Sequence, residues 1–163
     1  MIVLDASAAV RIASDLPEGK GLRRLMLGGE ECCAPSIFAA EVCNAFYKYF
    51  RAGCMDAAES KARVARAMDL VDRLCGVEHL YQEAYSESLR QDHYVYDMLY
   101  LVLARRFDAT LFTMDKKLRE LCVANGVNTV ELYDIDGSEC MVRAECKDYE
   151  DALEAGWIEP PSD

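Results

Sequence analysis

The sequence predicts an α/β domain built on a parallel sheet, and three observations carry that prediction. Apolar runs of strand length alternate with longer amphipathic stretches of helix length. Gly, Asn-Gly and Asp positions punctuate the boundaries between them. The chain, at 163 residues and 52% hydrophobic, is long enough to bury a core and has the composition of a globular protein.

The elements follow in order. MIVL at 1–4 is apolar throughout and long enough for a buried strand. Asp5-Ala6-Ser7 opens a helix through Ile12. Glu18 to Leu27 places Leu22, Leu25 and Met26 on one helical face, and Gly28-Gly29 ends it. Cys32 to Ala34 reads as a second strand. Pro35 is suited to the first turn of a long helix reaching about Phe50, which Gly53 stops. Asp56 to Leu74 reads as another helix closed by Gly76, and Val77 to Leu80 as a short third strand. Tyr81 to Arg90 and Tyr94 to Phe107 are helical. Thr110 to Thr113 is a fourth strand, Asp115 to Ala124 a helix stopped by Asn125-Gly126, and Val127 to Leu132 a fifth strand. The pattern then loosens, which divides the chain into a body, 1–133, and an extension, 134–163, with room for a strand (139–144) and a short helix (149–155).

The formal net charge of -11 comes from 18 Lys and Arg against 29 Asp and Glu. It argues against a protein that holds nucleic acid by charge alone. The distribution qualifies that inference. Residues 1–133 hold 16 basic and 19 acidic residues, whereas residues 134–163 hold 2 and 10. Most of the imbalance therefore belongs to the extension. No apolar run approaches the roughly 20 residues of a membrane span. MIVLDASAAV lacks a basic leader segment and meets an Asp at once, so it does not read as a signal peptide. Of the eight cysteines, Cys43, Cys54, Cys75 and Cys122 fall in helical or apolar patterns, and Cys32-Cys33 in a strand. Without a C-x-x-C pair or nearby histidines they read as thiols of a reducing compartment rather than zinc ligands, with Cys140 and Cys146 the most exposed.

Four carboxylates carry the chemistry. Asp5 follows the first strand and Asp115 lies just past the fourth, and ligands of open parallel sheets bind outside the carboxyl ends of strands. Either residue alone is equally a helix N-cap. Glu41 within SIFAAEVCNAF and Asp97 within YVYDMLYLVLA are stranger: each is an acid in an apolar helix with no lysine or arginine at i±3 or i±4. If the four share a site, each close pair repels by about 1 kcal/mol in water and about 4 at an effective dielectric of 20. Such a cluster needs a cation, and oxygen ligands suit Mg²⁺ or Mn²⁺, which polarise phosphoryl oxygens and activate water. The chain has no phosphate-binding glycine motif and no G-x-S-x-G. Ser7, rather than an acid, two residues after Asp5 weakens a phosphatase reading with a nucleophilic Asp.

MIVLDASAAV, the Glu41–Asn44 segment and YDMLYLVLARRFDATLFTMDKKL together resemble the PIN-domain ribonucleases, most closely the VapC-like toxins of toxin–antitoxin modules. The likeness covers roughly 1–132. It implies a three-layer α/β fold, a five-stranded parallel sheet flanked by helices, and a Mg²⁺- or Mn²⁺-dependent endoribonuclease. By the resemblance, Asp5, Asp97 and Asp115 hold metal, Glu41 completes the shell and orients or deprotonates the attacking water, and Thr113 hydrogen-bonds within the pocket. Ser7 and Asn44 match its supporting polar neighbours. A homodimer, an RNA substrate and a small antitoxin whose basic side chain enters the pocket are also implied; the thiols and the lack of a signal segment or apolar span read as a cytoplasmic location without a membrane. Candidate RNA contacts are Lys48, Arg51, Arg105, Arg106, Lys116, Lys117 and Arg119, with Lys116 and Lys117 the best placed. Asp92 reads as the cap of the following helix and His93 as a loop residue. A PIN-type processing nuclease without an antitoxin, and a non-catalytic interaction module, are the competing readings; the presence of all four acids counts against the latter.

Overall fold

The computed structural model describes residues 1–130 apart from Leu27. Strands β1 (Ile2–Leu4), β2 (Cys32–Pro35), β3 (Arg73–Cys75) and β4 (Thr110–Phe112) form one parallel sheet in the order β3-β2-β1-β4. Every residue of β1 and β2 is buried, as strands covered by helices on both faces must be. Helices α1 (Ala6–Ala13), α2 (Pro17–Met26), α3 (Phe38–Arg51) and α4 (Ala57–Met68) pack on one another. Helices α5 (Tyr81–Gln91), α6 (Val95–Phe107) and α7 (Lys116–Ala124) form a second group, in which α6 lies against β1, β2 and β4. That contact explains why α6 is apolar nearly all round: Met98 through Ala104 are all buried. Among the described residues no helix is long and apolar enough to cross a membrane.

The chain runs from β1 outward through β2 to β3, then returns to place β4 on the other side of β1. The strand order therefore reverses between β1 and β4, the place where a crevice opens at the carboxyl edge. The register there is Ile2 opposite Thr110, Val3 opposite Leu111 and Leu4 opposite Phe112. Asp5 and Thr113, the next residue of each strand, are thereby neighbours.

Several expected boundaries moved. Pro35 ends β2 instead of opening a helix, and α3 begins at Phe38 after a turn through Ser36. A proline is tolerated at a strand end, where its missing N–H costs no ladder bond. Helix α4 keeps its Asp56 cap, whose carboxylate accepts from the Glu59 amide at 2.8 Å, but stops at Met68. Leu70, Val71 and Leu74 mimic a helical spacing, yet Arg73–Cys75 forms the edge strand and Val77–His79, expected as a strand, is a 3-10 turn. The Asp72 carboxylate accepts from the Cys32 amide at 2.8 Å and draws the segment onto the sheet. Instead of a fifth strand there is an isolated parallel bridge, Leu111 to Thr129, supported by the Leu111 amide on the Asn128 carbonyl at 2.8 Å. Residues 131–132, like the whole extension with Cys140 and Cys146, lie outside the described residues. Cys32, Cys33 and Cys122 are buried free thiols and Cys75 is half-buried, but Cys43 is exposed. Cys54 lies in the turn after α3 rather than in a helix.

Candidate active site

Asp5 stands at the N-cap of α1 but makes no side-chain cap bond there. Its carboxylate turns instead to two hydroxyls. Thr113 donates to Asp5 Oδ2 at 2.6 Å and Ser7 donates to the same oxygen at 2.5 Å. Each hydroxyl has one proton, so both are spent on Asp5. Their lone pairs in turn accept backbone amides: Met114 N–H donates to Ser7 Oγ and Asp115 N–H to Thr113 Oγ1, each at 3.0 Å. The result ties the end of β1 to the end of β4 through a single carboxylate that is 8% exposed.

Asp115 takes the capping role that Asp5 gives up. Its Oδ1 accepts from the Leu118 amide at 3.0 Å and starts α7. Asp97, in the first turn of α6, has His93 Nε2 at 2.7 Å from its Oδ2. Glu41, in the first turn of α3, accepts from the Tyr100 hydroxyl at 2.5 Å, and Tyr100 is itself buried among the core residues of α6. Tyr100 lies three residues after Asp97, so the acid and the phenol share a face of α6.

The electrostatics bind these acids into one group. Burial is the largest cause raising the Asp5 pKa, opposed by the Ser7 and Thr113 hydrogen bonds and reinforced by the charge of Asp97. Burial also raises Glu41; the Tyr100 hydrogen bond opposes it, and the charges of Asp5 and Asp97 add to it. Asp97 is raised by burial, partly relieved by His93, and pushed up again by Asp115. Burial, then the charges of Asp5 and Glu41, raise Tyr100, whose phenol stays protonated and can only donate to Glu41. No lysine or arginine hydrogen-bonds to Asp5, Glu41 or Asp97 among the described residues. The cluster is a set of hard oxygen donors that repel one another, which fits a divalent cation of the Mg²⁺ type. As the side chains stand, no three such groups among the described residues are gathered closely enough to hold one. Their oxygens are turned to hydroxyl, phenol, imidazole and amide partners.

An open cleft of about 960 Å³ adjoins the cluster. Asp97 and Asp115 line it, together with Leu89, His93, Tyr94, Lys116 and Lys117; Asp5 and Glu41 do not. The other sequence candidates divide clearly. Arg105 and Arg106 sit at the opposite end of α6. Arg105 bonds Glu83 at 2.6 Å and Glu87 at 2.8 Å, and Arg106 bonds Glu83 at 2.8 Å and the His79 carbonyl at 2.6 Å. They pin α6 to α5 and do not face the cleft. Arg119 donates to the Thr113 carbonyl at 3.1 Å and braces the β4–α7 turn. Lys48 and Arg51 lie two turns or more past Glu41, where Arg51 bonds the Tyr47 hydroxyl at 3.1 Å. Asn44 is exposed on α3 and has no hydrogen bond to the acids among the described residues. Asp92 ends α5 in a left-handed conformation (φ 51°) rather than capping α6, whose N-cap is Tyr94. Sequence reasoning missed Tyr100 as the Glu41 partner and His93 as the Asp97 partner. The spacing of His93 four residues before Asp97 was the available signal.

The sequence pattern of the PIN domain matches residues 2–124, three-quarters of the chain and all of the sheet. The chain belongs to the PIN-domain family. Two curated relatives, each named Ribonuclease VapC12, come from two strains of Mycobacterium tuberculosis, CDC 1551 / Oshkosh and ATCC 25618 / H37Rv. This PIN domain is 34% identical to each over 120 residues, 74% of this chain and 91% of theirs. The crystal structure of PAE2754 from Pyrobaculum aerophilum superposes with a TM-score of 0.59 at 20% identity, covering 73% of this chain and 84% of that one, and so shares the fold.

Proposed function

We propose that the protein is a divalent-metal-dependent endoribonuclease, the toxin of a toxin–antitoxin pair. The observation that carries this is the meeting of Asp5, Thr113 and Asp115 at the switch point of the sheet, with Asp97 and Glu41 coupled to them by charge, in a PIN domain similar to a ribonuclease over nearly that protein's whole length. Asp5, Asp97 and Asp115 would hold Mg²⁺ or Mn²⁺. When bound, the ion would supply charge to a phosphoryl oxygen and lower the pKa of water. Ser7 and Thr113 fix the rotamer of Asp5, and His93 fixes that of Asp97, as outer partners of metal-binding carboxylates do. Glu41, raised by burial and by the charges of Asp5 and Asp97, is a stronger base than an ordinary glutamate, which suits it to orient and deprotonate the attacking water. Lys116 and Lys117, exposed beside Asp115, meet the phosphates that flank the scissile bond.

This reading carries a cytoplasmic protein, a homodimer and a small antitoxin that covers the acids with a basic side chain. A processing nuclease with the same site and no antitoxin is the second reading, favoured by the same acids. The test is cleavage of single-stranded RNA with Mn²⁺, Mg²⁺ or chelator by wild type, Asp5→Asn and Asp97→Asn. Metal-dependent cleavage lost in both variants supports the proposal. Cleavage that survives chelator and both substitutions overturns it.

A further inference from the structure

Helix α5 is built against the usual pattern. Its inner side is held by charge, with Glu83 and Glu87 gripping Arg105, and only Ala84 is buried. Its outward side carries Tyr81, Tyr85 and Leu89, exposed by 53%, 59% and 69%. Their spacing of four residues puts them in one line about 12 Å long. An exposed apolar line on a helix whose Glu83 and Glu87 are spent on α6 marks a contact surface. The line does not end in open surface. Leu89 is in the wall of the cleft, beside Tyr94, which is 78% exposed and whose ring stands 5.9 Å from that of His93, the partner of Asp97. Lys116 and Lys117 line the same cleft.

We propose that Tyr81, Tyr85, Leu89 and Tyr94 form a base-stacking track that leads one strand of RNA into the cleft, while Lys116 and Lys117 take its phosphates. The inference rests on the ribonuclease reading and extends it to how the strand is held. Aromatic faces joined to lysines are what sequence-tolerant single-strand binding requires, because every base presents a π-face and every linkage a negative charge. A protein partner alone would account for the apolar line. It leaves unexplained the continuation of that line into a wall shared with three carboxylates (Asp92, Asp97 and Asp115) and two lysines. The track also answers the acidity of the body: base stacking supplies affinity that charge does not.

The test uses the full chain and a 12-nucleotide single-stranded RNA carrying 2-aminopurine. Binding is read in chelator, and cleavage in Mn²⁺. Tyr85→Ala and Tyr94→Ala are each expected to weaken binding and raise KM roughly fivefold or more, with kcat falling much less. Tyr94→Phe should restore the wild-type KM, since stacking needs the ring and not the hydroxyl. Tyr47→Ala, an exposed tyrosine on α3, is the control expected to change neither. Wild-type cleavage with unchanged KM in both alanine variants overturns the track. The same result accompanied by loss of a dimer in sedimentation assigns the surface to a second copy of the chain. Tyrosine-dependent RNA binding without any cleavage keeps the track and overturns the ribonuclease reading instead, and absence of both overturns both.

Discussion

Helix α6 has a charged cluster at each end, and the two are built on opposite rules. At its carboxyl end, Arg105 and Arg106 face Glu83 and Glu87, and every charge has a partner of the other sign. Burial pulls the two glutamates upward, but hydrogen bonds and charge from the arginines outweigh it and leave both below the ordinary range. At its amino end, Asp97 joins Asp5, Glu41 and Asp115, and no lysine or arginine pairs with Asp5, Glu41 or Asp97 among the described residues; Asp97 has the His93 imidazole beside it. There burial and mutual repulsion win, and Asp5, Glu41 and Asp97 are all raised. The first cluster closes on itself and fastens α5 to α6. The second is held in place by neutral donors and left negative. A fold bears such an imbalance where a ligand completes it, and acids raised by burial and by one another next to a cleft point to a functional site.

Substitutions at the two ends should separate the clusters. The largest effect is expected at the amino end, where Asp97→Asn abolishes metal-dependent RNA cleavage while circular dichroism and melting temperature stay near wild type. Next comes His93→Ala, which frees the Asp97 carboxylate and should lower cleavage about 10- to 100-fold, the usual range for an outer partner of a metal-binding group. Raising Mn²⁺ should recover part of that loss. At the carboxyl end, Arg105→Ala should cost about 1–2 kcal/mol of unfolding free energy, since the pairs are partly exposed and hydrogen-bonded. Cleavage at 25 °C should not change. If Arg105→Ala abolished RNA binding without a loss of stability, the division between the two ends would fail.

The smallest effect concerns pH and has a definite sign. Asp5, Glu41 and Asp97 have folded pKa values above their unfolded ones, so their ionised forms weaken the metal-free fold, and that cost disappears as pH falls through the raised values. Glu83 and Glu87 run the other way: their contribution is full above the ordinary glutamate pKa and is lost as pH falls through the lowered values. Asp5→Asn should therefore raise the melting temperature in chelator at pH 7 by about 2–4 °C. The gain should shrink as pH is lowered toward the range where wild-type Asp5 takes up its proton. A variant that melts lower than wild type at every pH would mean that the hydrogen bonds to Asp5, and not its burial, dominate.

Much of this was legible in the sequence, for identifiable reasons. Asp5 and Asp115 could be placed at strand ends because MIVL and the Thr110 run are short and apolar, the first followed at once by an acid and the second by one a few residues on. Glu41 and Asp97 stood out because an acid in an apolar helix costs free energy and so demands a reason. The pairing of Asp5 with Thr113 was not legible, since it depends on the parallel register that sets Leu4 opposite Phe112. Nor was the fate of Arg105 and Arg106. Their charge made them RNA candidates, and only the packing of α5 on α6 turned them to Glu83 and Glu87. The third strand was misread because Leu70, Val71 and Leu74 fit a helical period as well as an edge strand, and the choice fell to tertiary pairing with β2.

The central claim is that the amino-end cluster is completed by a divalent cation. Calorimetric titration of Mn²⁺ into the metal-free protein, wild type beside Asp97→Asn, tests it most directly. The account predicts saturable binding by wild type that weakens at least tenfold in Asp97→Asn. Equal heats and equal affinities in the two proteins would contradict it.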